Sequence, residues 1–269
     1  MQNIGSLFDT ELLLLNQNEV KMLKYRIYLI VLCTFLPILV TAECLDPPEN
    51  KVNWDGCDKT AVQLSNAKLR EAVLKNANLS KANLESALLS NSDLGYANLS
   101  ESNLSKVKAK NARFVSAKLS KTILDNARLE NSKFDRAKLD HAKIRNVSGR
   151  NAHFYNAQLN SADLSDSDFN KSNFEQADLT SITAKNTNFH QSKLSYANLQ
   201  SADLQNADFS KAKLDNTDLS DANFNSANLA GADLHNADIN NADFTNAKLG
   251  NAIWIDRRRC RPGSIGICK

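Results

Sequence analysis

The sequence predicts an all-β solenoid, a chain that turns a corner every five residues and winds into square coils of 20. Three observations predict it. First, positions ending in 4 or 9 from Leu64 to Trp254 form one column of 39 residues, of which 36 are Leu, Phe, Ile or Trp; Ala109, Gly149 and Ala184 are the exceptions. Second, positions ending in 2 or 7 from Val62 to Ala252 form a column of small residues, 26 of them Ala. Third, the register does not slip once over that span, as in AKLREAVLKNANLSKANLES. A period of five fits neither the 3.6 of a helix nor the 2 of a strand. One large and one small side chain therefore point inward from each side of a coil, and the other three residues face water. Four such sides close a coil, and coils stacked at β-pairing distance, about 4.8 Å, give about 9 to 10 coils and a rod about 45 Å long.

Counting in twenties places Leu74, Leu94, Phe114, Phe134, Phe154, Phe174 and Leu194 above one another on one face. Their register makes the phenylalanine ladder core, not a binding platform. Ala109, Gly149 and Ala184 are each followed five residues later by Phe, at Phe114, Phe154 and Phe189. Close packing calls for constant core volume, so the expectation is that the ring on the adjacent wall fills each vacancy. Asn and Asp crowd the column beside the core and the corners, where short polar side chains bond to nearby backbone and tolerate turns.

The repeat A-(N/D)-L-x-x, in stretches such as SADLQNADF at 201–209 and ANLAGADLHNADI at 227–239, resembles the pentapeptide repeat family. The resemblance covers Val62 to Ala252 and reaches back toward Cys57. It implies a right-handed quadrilateral β-helix, in agreement with the coil argument. It implies little about activity: some cytosolic members bind topoisomerases by resembling duplex DNA, and many have no known activity.

The chain before the repeats reads as a targeting segment. Lys21, Lys24 and Arg26 precede the apolar run IYLIVLCTFLPILV, residues 27–40, and Val40-Thr41-Ala42 supplies small residues at a cleavage site. This is signal-peptide anatomy, and the run is shorter than the roughly 20 residues of a membrane span. The expected organisation is an upstream extension at 1–20, with Met22 as an alternative start, a signal peptide at 21–42, an N-terminal cap at 43–60, the β-helix at 61–254, and a C-terminal cap and basic tail at 255–269. Cleavage after Ala42 implies a periplasmic or secreted protein. Removal of Cys33 leaves Cys44, Cys57, Cys260 and Cys268, two at each end of the rod. Four cysteines allow three connectivities. Reach favours Cys44–Cys57 and Cys260–Cys268, because a cross-end bridge would have to span about 45 Å. Trp54 is the expected cover of the first coil and Trp254 with Ile255 of the last; that second pair is also the candidate for self-association into a homodimer.

Charge is unevenly spread. Lys59–Tyr155 holds 18 Lys and Arg against 8 Asp and Glu, whereas Asn156–Gly250 holds 6 against 13. Lys108, Arg113, Lys118, Arg128, Lys133 and Lys138, with Lys68, occupy the solvent column beside the core and form the candidate contact surface for an anionic envelope component or an acidic protein. Nucleic acid is disfavoured as a partner, since no helical or aromatic recognition motif accompanies the cations. A membrane is a partner only if the N-terminal segment is retained.

No enzyme is expected, and no cofactor or metal. His141, His153, His190 and His235 show no metal-ligand spacing, and no G-x-S-x-G or phosphate-cradling glycine loop occurs. Asp163, Asp166 and Asp168 form an acidic cluster that reads as solvated surface. The expected role is an exported, non-catalytic scaffold or binding protein. The rival is a gyrase inhibitor that imitates DNA, which the basic N-terminal half opposes, because a duplex carries a negative charge about every 1.7 Å of axis.

Overall fold

Each pentad spends its five backbone N–H groups in a fixed way, and that bookkeeping builds the fold. In the pentad around Leu159, the N–H of Gln158 donates to Ala137 O in the preceding coil (2.9 Å), while those of Leu159 and Ser161 donate to Asp178 O (2.7 Å) and Thr180 O (2.9 Å) in the following one. The N–H of Ala162 closes a turn onto Leu159 O at 2.9 Å. The fifth N–H, on the residue after the large core side chain, has no backbone partner in this scheme. An Asn or Asp two residues earlier takes it: Ser165 N–H donates to Asp163 Oδ1 at 3.0 Å, and Thr180 N–H to Asp178 Oδ1 at 3.1 Å. Asn and Asp thus recur beside the core because a short side-chain acceptor there completes the backbone accounting.

These observations come from a computed structural model that describes residues 44–269. They belong to one compact unit, Ala42–Lys269; the other, Met1–Thr41, and with it the expected upstream extension and signal peptide, lies outside the described residues. Parallel bridges join each residue of the middle column to the one 20 further on, from Asn53↔Val73 to Asp233↔Ile253. The fold is therefore a repeat-built β-helix with a turn every fifth residue. Pairing begins at Asn53, inside the segment 43–60 that the sequence assigns to a cap, because Val52, Trp54 and Cys57 already occupy the inward columns and are buried.

Every fifth residue from Lys51 to Asn251 has φ between +53° and +69°, and it is the third residue of its turn. This is the type II pattern, which favours Gly and Asn at that place. Asn is the commonest residue in this column, and no Val, Ile, Thr or Pro stands in it. The left-handed turn column was legible in the sequence as an absence of β-branched residues.

The core is continuous. Phe114, Phe134, Phe154 and Phe174 stack face to face with centroids 4.5, 4.9 and 4.6 Å apart. Polar members of the small column are buried but satisfied: Ser92 Oγ donates to Leu89 O at 2.6 Å, and Thr122 Oγ1 to Leu99 O at 2.9 Å. Among the described residues no buried side-chain nitrogen or oxygen lacks a partner.

The filling of Gly149 differs from the expectation. A Cβ at Gly149 would lie 2.4 Å from Cε1 and 2.5 Å from Cδ1 of Phe169. The vacancy is filled from the next coil on the same face, not by Phe154 on the adjacent wall. Phe154 is held in its own stack between Phe134 and Phe174, whereas Phe169 has only a glycine beneath it.

Both ends are stapled. Cys44 is bonded to Cys57 and Cys260 to Cys268. At the start, Trp54 is buried, its Nε1–H donates to Asp46 O at 3.2 Å, and Lys59 Nζ lies 4.0 Å over its ring. At the finish the chain reverses and pairs antiparallel, Ile253↔Arg259 and Lys248↔Ile265. Tail carbonyls replace the missing coil: Leu249 N–H donates to Ser264 O (2.9 Å) and Asn251 N–H to Cys260 O (3.1 Å). Trp254 is buried and Ile255 half-buried, so the exposed apolar residues at this end are Ile265 and Ile267. Each short disulfide is worth about 2–4 kcal/mol. Reduction is expected to raise amide exchange at both ends before the middle, because central coils are covered on both sides. Equal loss of protection at Leu69 and Leu159 would contradict this.

Candidate binding surface

The rod's chemistry-bearing side chains sit on its outer surface. His141 and His153 are exposed; His190 Nδ1 lies 2.6 Å from Ser210 Oγ, and His235 Nδ1 lies 2.9 Å from Asp233 Oδ1. The acidic cluster is already partnered. Asp168 Oδ2 accepts from Arg150 Nε at 2.5 Å, Asp166 Oδ1 from Asn186 Nδ2 at 2.9 Å, and Asp163 Oδ1 from Ser165 Oγ at 2.7 Å. Among the described residues no group of three or more His, Cys, Asp or Glu is placed to hold a metal ion. No helix of the described residues is long and apolar enough to cross a membrane.

The cations that the sequence singles out come together in two adjacent coils. Bridges pair Lys108 with Arg128, Arg113 with Lys133, and Lys118 with Lys138, and all six are exposed. Like charges facing each other across a ladder are destabilising. Among these six, only Arg113 forms an ion pair within the described residues, at 3.7 Å to Asp93. From Lys108 to Ser148 no Asn or Asp stands in the middle column, so the fifth N–H of each pentad loses its usual acceptor. In one pentad the preceding coil substitutes: Arg145 N–H donates to Asp125 Oδ1 at 3.1 Å, and the guanidinium grips the same carboxylate. Burial would push the Asp125 carboxyl up, but the bonds from Arg145 prevail and hold it below the ordinary aspartate range. Lys68 pairs with Leu88, one coil before this cluster.

Asp58 and Asp243 are likewise held low, each first by a side-chain bond from the Thr two residues on. A depressed carboxylate contributes stability above its unfolded value, about 3.9, and that stability is lost as pH falls through the folded value. Acid titration followed by circular dichroism is therefore expected to show stability constant from pH 7 to about 5 and declining below about 4. The triple variant Asp58→Asn, Asp125→Asn, Asp243→Asn should flatten the decline; an unchanged slope would assign it to other carboxylates.

The pentad register is matched by a family profile described as pentapeptide repeats, over residues 60–95, 82–120, 112–148, 150–183, 185–221 and 217–253. The chain belongs to the pentapeptide repeat family. Several solved pentapeptide repeat proteins are similar to it. HetL, involved in heterocyst differentiation regulation in the cyanobacterium Nostoc sp. strain PCC 7120, is 26% identical, with a TM-score of 0.47 over 78% of this chain and 92% of that one. Rfr23 of the cyanobacterium Cyanothece 51142 is 31% identical, with a TM-score of 0.30 over 36% of this chain and 63% of that one. QnrB1, a plasmid-mediated fluoroquinolone resistance protein, is 19% identical, with a TM-score of 0.40 over 61% of this chain and 82% of that one. No protein of curated function matches the chain by sequence. Within this pentapeptide repeat protein, the exposed cation ladders set like charges opposite one another and lack the Asn or Asp acceptors of most other pentads.

Proposed function

We propose that the chain is an exported, non-catalytic scaffold or binding protein that presents the side of a rigid, right-handed quadrilateral rod of about 9 to 10 coils, with a small cap at each end. The observation that carries the reading is the pair of terminal disulfides, Cys44–Cys57 and Cys260–Cys268, closing the ends of an uninterrupted hydrogen-bonded solenoid. Structural disulfides belong to oxidising compartments. The basic patch, apolar run and Val40-Thr41-Ala42 support removal of a signal peptide. Partnered acids and scattered histidines on a convex surface supply binding groups. The exposed Ile265 and Ile267 make the C-terminal end the place for self-association if the protein pairs with a second copy.

Cell fractionation with mass spectrometry of the mature N-terminus tests the reading. The expected outcome is a chain beginning at Glu43 outside the cytosol with both disulfides formed. A cytosolic chain beginning at Met1 or Met22 would overturn export and return attention to DNA imitation. A gyrase supercoiling assay then decides that rival: inhibition by submicromolar protein supports it, and its absence removes it.

A further inference from the structure

The rod holds three tyrosines among its described residues, Tyr96, Tyr155 and Tyr196, and all three lie on one line of turns, since the bridging register of 20 stacks 95–96, 155–156 and 195–196 above one another. Tyr96 and Tyr196 are 60% and 63% exposed. Both sit at the left-handed turn position, with φ of +60° and +62°, where a bulky side chain is poorly suited and Asn is the commonest residue. The flanking ladders are Arg113 with Lys133 on one side of this line and Lys118 with Lys138 on the other. They fill the two coils between Tyr96 and Tyr155, which are about 14 Å apart along the rod at β-pairing spacing. Between Tyr96 and Tyr155 the repeat gives up its N–H acceptors and its charge balance together. Residues 106–145 hold 12 Lys and Arg against 4 Asp and Glu. Between Tyr96 and Tyr155 the acid on this line is Asp135, whose Oδ1 accepts the N–H of Tyr155 at 3.2 Å; Glu175 lies on it between Tyr155 and Tyr196, and Asp215 beyond Tyr196.

We propose that this line of turns is a binding track for an anionic polysaccharide, whose acidic groups meet the two cation ladders and whose sugar rings lie against the tyrosines. The proposal rests on the reading of the chain as an exported binding protein, and it names the ligand class. Three features select a polysaccharide. Disulfide-bonded protein meets its polyanions outside the reducing cytosol. The cations wrap around a convex line of turns, which a narrow flexible polymer can follow and a flat membrane surface cannot. Tyr96 and Tyr155 are separated by two whole coils of cations, whereas tracks for single-stranded nucleic acid set aromatics against successive bases.

The test is calorimetric titration of the full mature chain with oligogalacturonate, its methyl-esterified form, phosphatidylglycerol-containing vesicles and oligodeoxythymidylate. Oligogalacturonate is expected to bind, and methyl esterification to weaken it at least tenfold. The variant R113N/K118N/K133N/K138N should weaken binding at least tenfold, and Y96N/Y196N severalfold. Both sets should leave the melting temperature unchanged or raise it, because Asn restores the turn and the N–H acceptor. Lys106→Gln with Lys185→Gln, on a different line of turns, should stay within twofold of the parent. The proposal is overturned if the quadruple variant binds within twofold of the parent, if the control pair loses as much as it does, if the tyrosine variant is unchanged, or if vesicles or oligodeoxythymidylate bind more tightly. A fall in melting temperature in either Asn set would sink the claim that these side chains are kept against stability. Cleavage of the uronate would refute the non-catalytic reading while leaving the track in place, and an unprocessed cytosolic chain would refute export alone.

Discussion

Phe154→Ala is expected to lower stability by about 3–5 kcal/mol, among the largest effects of any single core substitution in the rod. The ring is fully buried, stacked at 4.9 Å on Phe134 and 4.6 Å on Phe174, and meets Phe169 edge-on at 5.7 Å. Truncation removes its transfer energy, leaves a cavity that paired coils cannot close, and breaks aromatic contacts worth about 0.5–1.5 kcal/mol each beyond area. Because each coil touches only its neighbours, the damage should be local. Hydrogen exchange should accelerate around Phe134, Phe154 and Phe174 well before Leu94 and Leu234. Phe154→Leu, which restores the usual column residue, should cost less. Uniform acceleration along the whole rod would show that it unfolds as a single cooperative unit.

Gly149→Leu is expected to destabilise by about 1–3 kcal/mol even though Leu is the commonest residue of its column. The reason is Phe169, whose ring occupies the space of the added side chain. Phe169→Leu alone should also destabilise, by emptying that space. The double variant should recover most of both losses, with a coupling energy of about 0.5–3 kcal/mol in a double-mutant cycle. Measured additivity of the two changes would mean that Phe169 moves aside freely and that the fit of ring to glycine contributes nothing.

These two residues mark where sequence reasoning stops in the core. Column membership was readable for every large residue from Leu64 to Trp254, and the burial of Leu159, Phe154 and Phe174 follows it. The pairing of Gly149 with Phe169 was not, because the expectation looked five residues ahead along the chain, whereas contact across coils runs 20 residues ahead. The same holds for the surface. Lys108, Arg113, Lys118, Arg128, Lys133 and Lys138 were identifiable from their column. That they oppose one another in pairs followed from the register of 20, but the loss of N–H acceptors became visible only once each backbone donor was traced. Tyr96 and Tyr196 carried no sequence signal as binding residues, since the degree of their exposure is not written in composition.

The sequence by itself determined the coil length, the inward columns, the short reach that pairs Cys44 with Cys57 and Cys260 with Cys268, and the charge asymmetry of the two halves. Each of these depends on spacing along the chain, and a strict period of five gives every repeat the same backbone path. Tertiary structure alone decided the rest: the ring that fills the gap at Gly149, the antiparallel return of residues 259–265 over the last coil, and the strained, exposed setting of the tyrosines beside the cation ladders. These depend on which of several side chains related by the register fills a given space, or lie at ends where the period stops. There, packing space and unpaired backbone groups choose the arrangement.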